Sequence, residues 1–124
     1  MDAVSPPARG IAVWDIVRVD FPFAGEARTR RRPGLVAAIP AVHGAFAVLW
    51  VMMITSAPGG KWPLDVPISD LRLGGLDHAA CVVRVSKITV LDARLAVRIG
   101  ELSGVDRVNV RVSLRAVLKD AMVA

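Results

Sequence analysis

Leu35 to Ile54 runs for twenty residues without one formal charge, and Pro40, His43 and Gly44 interrupt it near the middle. That length could span a bilayer as a helix. Proline inside a helix removes a hydrogen bond and clashes with the preceding turn, and glycine weakens the helix further. Two apolar strands joined by a turn use the same three residues naturally. The segment therefore reads as a hairpin, with His43 as a solvated turn residue rather than a ligand or base. A chain with such a hairpin at its centre is expected to be built from strands.

The rest of the sequence agrees. Val17-Arg-Val-Asp-Phe21 alternates with period two, as a half-buried strand does, and Pro22 ends it. Phe46–Thr55 is nearly all apolar and suits a strand covered on both faces. Trp62–Ile68 and Cys81–Lys87 alternate, and a short strand is expected over Ile88–Leu91. Ser69 to Gly75 reads as a one- to two-turn helix, capped by Ser69 and ended by glycine. Ser103 can cap a final helix in which Leu102, Val105, Val108, Val112 and Leu118 recur near helical spacing. Five or six short strands and a terminal helix imply a small, mostly antiparallel barrel, mainly β (α+β) in class. Residues 1–12 read as a flexible lead-in without a signal pattern, and 13–124 as a single domain.

Composition narrows the partner. Apolar residues make up 54% and charged residues 22%, which excludes disorder. The formal charge is +5 and the pI about 10.7, which favours a polyanion. The lone Cys81 excludes an internal disulfide, fits a reducing cytoplasm, and reads as a packed core thiol. Two distant histidines and one cysteine argue against a metal cluster.

Four arginines fall in the five residues 28–32, Arg28-Thr-Arg-Arg-Arg32, just before Pro33-Gly34. They read as a loop on a hairpin. Like charges crowded together repel, so the cluster points to an anionic visitor.

The order of short motifs then carries a resemblance: Asp15-Ile-Val-Arg-Val-Asp-Phe-Pro-Phe23, Arg31-Arg-Pro-Gly-Leu-Val36, Met53-Ile-Thr-Ser56, Asp65-Val-Pro-Ile-Ser69, Gly75-Leu76, Val82-Val-Arg-Val-Ser-Lys87, Leu91-Asp92 and Arg98-Ile-Gly-Glu-Leu102. Over about residues 13–120 the series resembles the MazF/PemK toxins of type II toxin–antitoxin systems. The resemblance implies an SH3-like barrel with a C-terminal helix and a homodimer. It also implies cofactor-free, metal-independent cleavage of single-stranded RNA, and a cognate acidic antitoxin.

Such cleavage uses the neighbouring 2′-OH as nucleophile and needs a base, a cation beside the phosphorane, and an acid for the leaving oxygen. Arg32 matches the family's Arg-Pro motif, and its planar fork suits a phosphate. Thr55 and Ser56 match the hydroxyl pair of the Ile-Thr-Ser-like motif. Glu26 is the nearest candidate base, with a charge-balancing loop carboxylate as the alternative. Arg28, Arg30 and Arg31 are expected to contact RNA or a partner, with plain solvation as the alternative. Arg84, Ser86 and Lys87 are candidate RNA contacts on one strand.

Two departures stand out. Some family members carry aspartate two residues after the strand arginine, where this chain has Ser86. The family usually shows glycine where this chain has Trp14. The missing carboxylate keeps open a non-catalytic module of the same fold, directed at gyrase, an antitoxin or nucleic acid. Trp50 and Trp62 read as core or dimer aromatics rather than platforms for bases.

Overall fold

The structure, a computed structural model, describes residues 10–22, 29–44, 46–56, 62–77 and 80–123. Among them, six strands form one curled antiparallel sheet: β1 Asp15–Pro22, β2 Thr29–His43, β3 Phe46–Ser56, β4 Val66–Pro67, β5 Cys81–Asp92 and β6 Val97–Glu101. Their order across the sheet is β4-β5-β3-β2-β1-β6. Helix α1, Gly104–Leu118, follows β6. The mainly β expectation holds. No helix among the described residues is long and apolar enough to cross a membrane, and Leu35–Ile54 is split between β2 and β3.

The sheet buries residues on both sides. One core gathers Ile16, Leu35, Met52, Ile54, Val83 and Val110 beneath α1. The other gathers Val17, Val19, Val36, Leu49, Val51 and Met53. Ile16 and Val17 are adjacent yet both fully buried, because alternation along β1 sends them to opposite faces of the sheet, one into each core. β2 continues through Pro40 to His43, with register shifts on either side of Ala38 that accommodate the proline. In β5, Met52 pairs with Ile88 but Met53 with Arg84. The three residues between, Val85 to Lys87, form a bulge within one long strand instead of a gap between two.

Several local expectations are corrected. Ser69 to Gly75 forms successive turns, not a helix. Asp70 Oδ1, rather than Ser69, accepts the Leu73 N–H at 3.0 Å. Only Val66–Pro67 of Trp62–Ile68 pairs as strand. In α1, Ser103 is the N-cap as expected, but Val105, Val108, Val112 and Leu118 face solvent. The helix instead packs through Asp106, Val110 and Leu114. The apolar β3 spends its side chains on the chain's own cores rather than on a free face.

Two glycines of the motif series are explained by packing. A Cβ at Gly100 would stand 2.3 Å from the Gly74 backbone, and one at Gly75 would stand 2.0 Å from the Ile99 carbonyl oxygen. The 70–75 turn therefore lies directly against β6, and Leu73 O accepts the Glu101 N–H at 3.1 Å.

Candidate functional site

The antiparallel pairing of β2 and β3 reaches Gly34 opposite Met53. Just beyond that pair, Arg32 and Pro33 on β2 and Ile54, Thr55 and Ser56 on β3 line one pocket, with Cys81 of β5 as its wall. Its volume is about 90 Å³. β5 completes it because Ser56 pairs with Cys81 and Thr55 with Val82. Arg32 and Thr55 are half-buried and Ser56 is exposed. A guanidinium and two hydroxyls thus converge on a small concave surface, a donor set suited to an oxyanion. Burial pushes the Cys81 thiol up, and the charge of Asp77 adds to this. Cys81 is a neutral, apolar wall at pH 7.

The arginine cluster is not a loop where it is described. Thr29 to Arg32 belong to β2, with Arg30 opposite Phe21, Arg31 opposite Asp20 and Arg32 opposite Val19. Neighbours on a strand point to opposite faces. Arg32 therefore enters the pocket while Arg31 stands exposed beside Asp20. Glu26 and Arg28 lie outside the described residues.

Arg84 of β5 does not line the pocket. It is buried, and it grips Asp65 through Nε to Oδ1 at 3.3 Å and Nη2 to Oδ2 at 3.0 Å. Its guanidinium stacks 4.3 Å from the centre of the Trp62 ring. Burial pushes the Asp65 carboxyl up. Hydrogen bonds from Arg84 and the Trp62 N–H, with the Arg84 charge, outweigh this and hold it below its ordinary value. Ser86 and Lys87 are exposed in the β5 bulge and do not line the pocket. Trp50 and Trp62 are 44% and 45% exposed, so neither is a core aromatic. Sequence reasoning missed Asp65 and its grip on Arg84. The Trp62-Pro-Leu-Asp65 turn was the available signal, since Asp65 accepts the N–H three residues back.

The family model for PemK-like, MazF-like toxins of type II toxin–antitoxin systems matches residues 12–118. The chain belongs to this family. Solved structures share the fold. MazF (Form-I) from Deinococcus radiodurans is 24% identical with a TM-score of 0.63, covering 88% of this chain and 96% of that one. The MazE-MazF complex (Form-II) from the same organism is 24% identical with a TM-score of 0.62, covering 87% and 94%. No curated protein matches the sequence. The Arg-Pro and Ile-Thr-Ser motifs that suggested the family are the segments that meet in the pocket.

Proposed function

We propose that this chain is the toxin of a type II toxin–antitoxin pair and cleaves single-stranded RNA by 2′-OH attack, without a cofactor. The observation that carries the reading is the convergence of Arg32, Thr55 and Ser56 on one pocket in a member of this toxin family. Thr55 and Ser56 hold the scissile phosphate by donating to its oxygens. Arg32 neutralises the dianionic phosphorane and donates the proton to the leaving 5′-oxygen, while the 2′-oxygen closes the cyclic phosphate. Glu26 serves as the base for the 2′-OH. Ordinary RNA bears a full charge at each phosphate, and the excess of basic residues in the chain draws it in.

The partners follow from the same reading. An acidic antitoxin segment folds onto the basic groove and competes with RNA. A second copy of the chain covers the exposed aliphatic residues Val105, Val108 and Val112 of α1. The test is incubation of purified protein with a long single-stranded RNA in EDTA, followed by end mapping. Cuts at a defined short sequence with cyclic phosphate ends support the reading. A folded protein that leaves the RNA intact refutes it.

A further inference from the structure

We infer that Trp62 is a stacking platform for a base of single-stranded RNA, set at the rim of the pocket by the Arg84–Asp65 pair; this rests on the RNA-directed reading above. The starting point is an indole that is 45% exposed yet held in place. Its inner face lies on the Arg84 guanidinium. Its backbone is fixed at both ends of a turn: Trp62 N–H donates to Asp65 Oδ2 at 3.0 Å, and Trp62 O accepts the Asp65 N–H at 3.2 Å. Asp65 in turn grips Arg84, and both side chains are less than a tenth exposed. One buried carboxylate thus fixes the cation beneath the ring and the backbone that carries the ring.

The position connects this platform to the pocket. Arg84 pairs with Met53 and Val82 with Thr55. Residues two apart on a strand share a face and lie roughly 7 Å apart. Arg84 therefore stands one step along β5 from the Thr55 row, on the face that Thr55 occupies. A phosphate held by Arg32 and Thr55 leaves an adjoining base within reach of the outer indole face. Base–aromatic stacking tolerates any base, and a platform fixed beforehand loses little entropy on binding.

The experiment separates this inference from the cleavage reading. Binding is measured with a non-cleavable 2′-O-methyl single-stranded RNA 12-mer for wild type, Trp62→Leu and Trp62→Phe. Leucine keeps the cover over Arg84 but removes the aromatic face. Trp62→Leu is expected to weaken binding on the order of tenfold, with Trp62→Phe retaining most of it. In cleavage of ordinary RNA the loss is expected in KM. Wild-type tryptophan fluorescence is expected to be quenched by the 12-mer, and most of that quench to vanish in Trp62→Phe. A folded Trp62→Leu that binds as wild type overturns the inference. If Trp62→Leu does not fold, equal quenching in wild type and Trp62→Phe overturns it. Trp62-dependent binding by a protein that never cuts RNA would support the platform and remove the nuclease.

Discussion

Asp106 Oδ2 accepts two hydrogen bonds from Ser69, from its N–H at 2.8 Å and its hydroxyl at 3.0 Å, across 37 residues of sequence. Asp106 is 2% exposed and stands in the first turn of α1, where a carboxylate also meets the positive end of the helix. This pair docks the helix onto the segment that follows β4.

Replacing Asp106 by Ala removes both hydrogen bonds to Ser69, in a contact that is buried on the Asp106 side and exposed on the Ser69 side. The expected cost is about 3 kcal/mol, a fall in Tm of roughly 10 °C. Thermal denaturation measures it. A loss below about 0.5 kcal/mol, typical of surface changes, would show that the pair does not anchor the helix.

Trp14 holds a φ of 79°, in the left-handed region that side chains avoid. Its backbone is pinned there, donating to Val36 O at 2.9 Å and accepting from Leu102 N–H at 3.0 Å. Arg107 and Arg111 lie over its ring at 5.9 and 5.1 Å. The expectation is that Trp14→Gly is more stable than Trp14→Ala by about 1 kcal/mol, the reverse of the usual order. Denaturant melts of the two variants decide it.

Gly100→Ala should be destabilising by about 3 kcal/mol, because the added methyl meets the Gly74 backbone rather than a side chain that can move. Equal stability of wild type and variant in urea titration would count against so close an approach of β6 to the 70–75 turn.

The Asp65 carboxyl is held below its ordinary 3.8 in the folded chain. A depressed pKa contributes stability that is fully present above the unfolded value and is lost as pH falls through the lower folded value. Asp65→Asn should therefore be less stable than wild type at pH 7, with the gap closing as pH falls below 3.8. Parallel melts from pH 7 to pH 2 check the sign, and a gap that widens in acid would contradict it.

Within the proposed reaction, Arg32→Ala should lower the cleavage rate roughly 10²- to 10³-fold. Arg32→Lys should recover little, since an ammonium lacks the two-pronged fork. Thr55→Val keeps the shape of the strand and removes one donor. Single-turnover cleavage with an end-labelled RNA reads each effect, and Arg32→Ala acting at the wild-type rate would exclude Arg32 from the chemistry.

The hairpin at 35–54, the strands around Val17–Phe21 and Cys81–Lys87, the Ser103 cap and the pocket motifs were legible in the sequence. They rest on local signals: period-two alternation, turn residues and a capping hydroxyl. Trp62 is not the core aromatic that one of its two readings expected, because burial of an indole depends on what lies over it. The ion pair of Arg84 was not legible, because its partner Asp65 lies 19 residues away in the sequence.

Sequence alone determined that the chain is mainly β, that it ends in a helix, and that an arginine cluster precedes Pro33. It could not choose among the valine faces of α1, since Val105, Val108, Val110 and Val112 offer apolar surface on more than one side. The tertiary structure chose by seating Asp106 on Ser69, which turned Val110 inward and left the others in solvent. It likewise separated Arg32 from Arg31, because alternation along β2 gives adjacent residues opposite faces and only the register with β3 says which face holds the pocket.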